Sequence, residues 1–316
     1  MTQSGAVPVV FLGGHGRSGS TLFSRVLGHV PGFWAVGELR YLWEQGVRRG
    51  RMCGCSLRFH DCPFWSDVGK EAFGGWDQVD VGEAVRLHRT IERNRYLPLL
   101  VAPRASTPFR RRLDRYAELM GRVYQAVRQV SGCEVIVDSS KFPSSAYFLR
   151  HVPDVDLRVV HLVRSSHGVC YSWSKKVARA DRGGRPMARH PPTRAALEWV
   201  GFNFATDALR ALGVPSTLLR YEDFVARPRA EVERVLRFLE RERRAEELSF
   251  IGEETVELGS DHSVAGNPVR LRVGIEHLRL DEEWRTALPP RTRRMVTLLT
   301  APGIARYGYL RPVGRR

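Results

Sequence analysis

An apolar run, Val7-Pro8-Val9-Val10-Phe11-Leu12, leads directly into Gly13-Gly14-His15-Gly16-Arg17-Ser18-Gly19-Ser20-Thr21, after which Leu22, Val26, Leu27 and Val30 recur at helical spacing. This succession of buried strand, glycine-rich turn and helix constrains the fold more than any other feature of the chain. It points backbone N–H groups and the positive end of the helix dipole at one spot, which makes a cradle for an anion. Set against the phosphate-loop pattern G-x-x-x-x-G-K-[ST], Gly14, Gly19 and Thr21 fit. Ser20 stands where the lysine belongs, and a cation occurs instead as Arg17. Ser18, Ser20 and Thr21 add hydroxyl donors to the cradle.

Further short apolar runs alternate with helical patterns. Residues 133–141 (CEVIVDSSK), 156–164 (DLRVVHLVR) and 216–224 (STLLRYEDF) read as buried strands, and 33–37 as a short strand or turn that carries Glu38 at its end. Helices are predicted after the first loop, in two stretches of 83–131, after Phe142, from Ser165 to about 179, over 193–213 and from Pro228. Residues 44–80, rich in Gly, Cys and Trp, read as irregular, and 181–192 as a Gly/Pro linker. Alternation of this kind predicts an α/β fold, one P-loop-like domain over 1–316 with a central parallel sheet flanked by helices on both faces. Its core is expected at about 7–242, with a C-terminal nucleotide-covering and helical segment at about 243–316. Ligands of such sheets bind at the carboxyl ends of the strands. The candidate site is therefore drawn from 13–21, 37–40, 138–141, 164–176 and 221–223.

The net charge is +16, and only four of the 50 basic residues are lysine. The basic residues are spread along the chain, with no basic tail and no basic repeat interleaved with aromatics, so a nucleic-acid partner is not expected. A polyanionic small ligand fits the charge better. Because surface cations here are written as arginine, Lys141, Lys175 and Lys176 stand out. No apolar stretch approaches the ~20 residues that span a bilayer, and no basic-then-apolar N-terminal leader is seen. The expectation is a cytoplasmic protein without a transmembrane segment. Cys53, Cys55 and Cys62 share a short stretch with His60, but C-x-C-x6-C matches no common zinc pattern. A reduced, packed loop or a local disulfide is expected there, and no metal.

Two chemistries suit the first loop. A small-molecule kinase would use ATP and magnesium with Asp138, at the end of VIVD, as metal anchor. It lacks the loop lysine that a highly charged phosphoryl group calls for. Transfer of a sulfuryl group, which carries less charge, can dispense with a metal. Arg164, Ser172 and Lys176 then form a basic, hydroxylic patch suited to a second phosphate on the same nucleotide, with Ser172 and Lys176 expected one turn apart on one helix face.

In these motifs the chain resembles the sulfotransferases that use 3′-phosphoadenosine 5′-phosphosulfate (PAPS), over residues 7 to about 310. That family binds the 5′-phosphosulfate on a basic-Ser-Gly-[ST]-Thr loop, here Arg17-Ser18-Gly19-Ser20-Thr21. The resemblance implies that Arg164 and Ser172 bind the 3′-phosphate, joined by Lys176 as in the tyrosylprotein branch, and that Tyr221 of Tyr-Glu-Asp contacts adenine. The catalytic histidine of the phenol and steroid branch has no counterpart. Glu38 of VGEL takes the place of the glutamate base of the tyrosylprotein and some carbohydrate branches. Lys141 and Arg17 are expected to stabilise charge as the phosphosulfate bond breaks. The family's Arg-Lys-Gly element over the 3′-phosphate is absent, and Arg270 or Arg272 of GNPVRLRVG is its expected substitute. Asp138 then becomes structural, a cap for the helix after Phe142. His15, His161 and His190 are expected to be structural as well. The implied reaction is in-line, metal-independent transfer to a hydroxyl of a small-molecule, glycan or lipid-linked acceptor.

Overall fold

β1 (Val7–Gly14) is buried on both faces, as its unbroken apolar run requires. In the computed structural model, which describes residues 5–176 and 188–310, it is the middle strand of a five-stranded parallel sheet of order β2-β3-β1-β4-β5. The partners are β2 (Phe33–Gly37), β3 (Val135–Lys141), β4 (Val155–Val163) and β5 (Ser216–Arg220). β2 and β3 lie to one side of β1, β4 and β5 to the other. The strand order therefore reverses at β1, and in open α/β sheets the crevice at such a reversal is where ligands bind. The loop after β1 is the one the sequence marks for an anion. The expected α/β class is found.

Two compact units divide the chain, interleaved in sequence. The first comprises Met1–Leu12, Thr21–Val159 and Leu258–Gly274. It contains nearly all of α1 (Ser20–Gly28), and α2 (Pro63–Phe73), α3 (Val81–Ile91), α4 (Leu97–Val101), α5 (Thr107–Ser131) and α6 (Pro143–Leu149). The second comprises Gly13–Ser20, Val160–Glu257 and Ile275–Arg316. It contains α7 (Ser166–Ser174), α8 (Pro192–Asp207), α9 (Tyr221–Ala226), α10 (Pro228–Phe238), α11 (Trp284–Ala287) and α12 (Pro290–Arg306). Two short strands, Thr255–Leu258 and Gly274–His277, pair in a separate two-stranded sheet.

Several boundaries differ from the sequence reading. Helix α2 runs through the stretch read as irregular. Pro63 opens it, Trp65, Val68 and Ala72 bury one face, and Gly74 at φ 82° closes it with a left-handed cap. Its length of 11 residues, with Pro63 at the start and Gly69 inside, hid a short amphipathic pattern. The strand expected over 216–224 stops at Arg220, where α9 begins with Tyr221. Of the Gly/Pro linker read at 181–192, residues 181–187 lie outside the described residues. No helix among the described residues is long and apolar enough to cross a membrane.

Candidate active site

In the second unit the glycine loop is sharply bent. Arg17 has φ 71° and Gly19 φ 84°. Left-handed residues of this kind turn main-chain N–H groups into an anion-binding concavity. A left-handed arginine is uncommon, and the strain is held by its surroundings. Its guanidinium lies 5.0 Å from the Trp173 ring centre, and Gly16 packs so closely on the same ring that a Cβ there would stand 2.9 Å from it. A Cβ on Gly19 would stand 2.5 Å from the ring of Tyr221. The loop thus packs against both Trp173 of α7 and Tyr221 of α9. Ser18 lies within it, 1% exposed, and its hydroxyl has no hydrogen-bond partner among the described residues.

Arg164, the residue that follows β4, reaches the same place. It donates to the carbonyl of Arg17 at 3.3 Å and lies 4.7 Å over the Tyr221 ring. It also pairs with Asp281 at 3.2 Å and donates to that residue's carbonyl at 3.0 Å. Partial burial pushes the Asp281 carboxyl up, but Arg164 and then Lys175 outweigh it and hold the group below the usual carboxylate range. Neither Trp173 nor Asp281 was singled out from the sequence. A tryptophan in a helical pattern reads as core, and Asp281 is over a hundred residues from Arg164. Ser172 is half-buried on α7. Lys176 is exposed and lies beyond the helix, which ends at Ser174. The expectation that Ser172 and Lys176 share a helix face is therefore corrected. Lys175 is the lysine engaged here, with Glu283 at 2.5 Å and Asp281 at 3.5 Å.

Three histidines of this unit are engaged in contacts within the fold. His161 is buried between Asn203 at 2.9 Å and Asp207 at 3.2 Å. His190 stacks on Trp173 at 4.2 Å and bonds Glu198 at 3.0 Å; His15 lies 3.7 Å from the same carboxylate. Interaction with His15, followed by that with Arg194, holds Glu198 down at about 2.

In the first unit, Glu38 and Lys141 meet at the ends of the adjacent strands β2 and β3. Lys141 Nζ lies 2.5 Å from Glu38 Oε1, with the two side chains 11% and 13% exposed. Lys141 adopts φ 69° and its ammonium also donates to the Ser139 carbonyl at 3.1 Å. Register explains the pairing: Gly37 of β2 sits opposite Asp138 of β3, so Glu38, just beyond β2, comes beside the end of β3 that carries Lys141. Glu38 is braced from behind, its N–H donating to the Ala265 carbonyl at 3.2 Å. Thr21 Oγ1 accepts from Asn267 N–H at 3.4 Å.

Asp138 caps no helix. It accepts from the N–H and hydroxyl of Ser140 at 2.8 and 2.5 Å and from the Tyr124 hydroxyl at 2.6 Å. Burial raises its pKa to about 6 against the pull of those donors. Both oxygens accept hydrogen bonds within the protein and the residue is 2% exposed, a structural environment that weighs against the magnesium-anchor role. Arg270 is buried at 2% exposure and donates to the Met52 carbonyl at 2.9 Å. Arg272 is exposed, and its carbonyl accepts from Arg25 at 2.6 Å.

A strand-end loop bent for an anion, flanked by a buried arginine, is the pattern the sequence resemblance requires. Comparison with known families decides the assignment: residues 8–245 match the model described as the Sulfotransferase family. The chain belongs to the sulfotransferase family. It is also similar in fold to the solved sulfotransferase domain from the Synechococcus PCC 7002 olefin synthase, at 21% identity, with 99% of each chain covered and a TM-score of 0.53. The sulfotransferase domain from the curacin biosynthetic pathway is similar at 17% identity, covering 94% of this chain and 98% of that one, with a TM-score of 0.50. No curated protein matches the sequence.

Proposed function

We propose that this sulfotransferase moves a sulfuryl group from PAPS to a hydroxyl of a small-molecule, glycan or lipid-linked acceptor. Ser18 carries the proposal: a buried hydroxyl without a partner among the described residues, inside a loop whose Arg17 and Gly19 adopt left-handed conformations. An unsatisfied buried donor costs about 1–3 kcal/mol, which a bound phosphosulfate oxygen would relieve. Gly19 N–H, Arg17, Ser20 and Thr21 complete the cradle for the 5′-phosphosulfate. Arg164 and Ser172 take the 3′-phosphate, and exposed Lys176 adds long-range attraction. Arg164 is held ready by Asp281, which must share it with the phosphate. Tyr221 contacts adenine and ties Gly19 to Arg164.

Glu38 is the base. It accepts the acceptor's hydroxyl proton as that oxygen bonds to sulfur in line with the departing phosphate. The sulfur–oxygen bond to the 5′-phosphate breaks, and its electron pair leaves on that oxygen as adenosine 3′,5′-bisphosphate. Lys141 fixes the Glu38 carboxylate through Oε1 and, with Arg17, offsets negative charge that develops during transfer. The lower charge of a sulfuryl group allows this without a metal.

Calorimetry in EDTA tests the donor. Adenosine 3′,5′-bisphosphate should bind, and Arg164→Ala should weaken it about 10–100-fold, the range for a charge-assisted bond. The loss for adenosine 5′-phosphate should be much smaller. Equal losses would remove Arg164 from the 3′-phosphate. Binding of ATP with Mg²⁺ alone would overturn PAPS as donor. Screening hydroxyl acceptors with sulfur-labelled PAPS then identifies the acceptor class.

A further inference from the structure

The cysteine loop gains a fourth residue in three dimensions. Cys53, Cys55 and Cys62 lie in the first unit together with His262, about two hundred residues later in sequence. Their sulfurs and one imidazole nitrogen all fall within 4.8 Å of one another. Cys55 Sγ is 3.6 Å from Cys62 Sγ, and His262 Nδ1 is 3.2 Å from Cys62 Sγ and 3.9 Å from Cys53 Sγ. A tetrahedral zinc ion with Zn–S of about 2.3 Å and Zn–N of about 2.0 Å sets its sulfur and nitrogen ligand atoms roughly 3.5–3.8 Å apart. The observed spacings bracket that range. We propose that Cys53, Cys55, Cys62 and His262 bind one structural zinc ion.

The supporting frame is built for it. Met52 and Arg58 form an antiparallel bridge, so Cys53 and Cys55 sit on the tight turn of a hairpin, with Ser56 in the left-handed region at φ 66°. Cys62 follows one helical turn later, just before α2. The His262 ring packs against two aromatics that also touch each other, Phe64 at 5.0 Å and Trp34 at 5.7 Å, and its carbonyl accepts from Trp65 Nε1 at 2.8 Å. Gly54 packs flush on Asp261 and donates to the Ser263 carbonyl at 3.0 Å, so the hairpin and the 261–263 segment are already in register. Cys53 and Cys62 are fully buried, Cys55 and His262 half-buried. Four protein ligands close the coordination shell, which is the arrangement of a structural zinc and leaves no position for substrate. On binding, each of the three thiols gives up its proton and the imidazole coordinates in its neutral form.

The site would staple the hairpin to the segment that braces the β2 end. Val264 N–H donates to the Val36 carbonyl at 3.0 Å, Ala265 accepts from Glu38, and Asn267 donates to Thr21. Zinc would therefore stabilise the backbone that carries Glu38, whatever the donor or acceptor of the reaction. The spacing C-x-C-x6-C could not show this, because the fourth ligand is not local.

The full chain, purified under reducing conditions with zinc added and then gel-filtered, should carry one zinc per chain by elemental mass spectrometry. Cobalt substitution should give thiolate-to-cobalt charge-transfer bands and the intense visible bands of tetrahedral cobalt. His262→Ala should weaken zinc binding by at least the ~10–100-fold that loss of even an outer-sphere partner brings, whereas Cys170→Ser should retain one zinc. Substoichiometric zinc in the wild-type chain, a six-coordinate cobalt spectrum, or a Cys55–Cys62 disulfide in its place would overturn the proposal. So would unchanged zinc affinity in His262→Ala. The cobalt spectrum needs no variant, so a misfolded mutant would not obscure the answer.

Discussion

Replacing Gly19 with alanine separates two costs that the loop combines. Gly19 has φ 84°, a conformation that costs an L-residue about 1–2 kcal/mol. The added Cβ would also meet Tyr221 Cδ2 at 2.5 Å and Cε2 at 2.8 Å, where carbon atoms normally rest about 3.5–4.0 Å apart. The ring must retreat by roughly 1 Å. It has little room to do so, being buried beneath the Arg164 guanidinium with its hydroxyl on the Arg279 carbonyl at 3.4 Å. Overpacking of this kind costs about 1–3 kcal/mol, so Gly19→Ala should lose roughly 2–5 kcal/mol in all. Gly213 supplies the matched control. It has φ 80° and nothing within 4 Å of its would-be Cβ, so Gly213→Ala should show only the conformational cost of about 1–2 kcal/mol. Urea unfolding followed by tryptophan fluorescence measures both. Removing the ring in Gly19→Ala/Tyr221→Ala should abolish the excess, because no atom is left to collide with. If Gly19→Ala is no more destabilising than Gly213→Ala, Tyr221 does not confine the loop.

Two further perturbations address the first unit. Glu38→Gln keeps an oxygen for Lys141, so adenosine 3′,5′-bisphosphate affinity should hold while turnover falls about 10²–10⁴-fold, the usual contribution of a general base; unchanged turnover would remove Glu38 from that role. Asp138, raised by burial from 3.8 to about 6, should make the protein less stable as pH rises from about 4 to about 6. The sign follows because the folded state holds the proton more tightly than the unfolded chain across that window. Its contribution is worth up to about 3 kcal/mol. The stability of wild type relative to Asp138→Asn should decline over that window, and a flat difference would contradict the assignment.

Much of the site was legible before the structure. β1 is a continuous apolar run that ends in glycine, and β3 and the second half of β4 are largely apolar stretches that lead into polar residues, as burial on both faces requires. Gly14, Gly19 and the hydroxyls after Arg17 mark the anion loop because backbone conformation and donor chemistry are local properties. Glu38 and Lys141 were each placed at a strand end, but their contact was not readable, since it depends on the register of β2 with β3. The missed helix α2 and the early end of α7 have a different cause. Trp65, Val68 and Ala72 stabilise α2 by burial against distant parts of the chain, and its short pattern carries little periodic signal. Asp138 invited a metal-binding role as a carboxylate at a strand end; the Tyr124 and Ser140 hydroxyls that occupy it come into view only with the packing.

By itself, the sequence determined the alternation of strands and helices, the phosphate-type loop without its lysine, and the family to which both belong. These follow from periodicity, glycine placement and side-chain chemistry, all encoded within a few residues. The tertiary structure alone decided which charges pair, which buried hydroxyls lack a partner among the described residues and which residues gather into a metal-sized cluster. Arg164 meets Asp281, and Cys62 meets His262, across more than a hundred residues of intervening chain. Such contacts are set by how elements pack and by the burial that makes an unpaired group costly, and no local pattern carries that information.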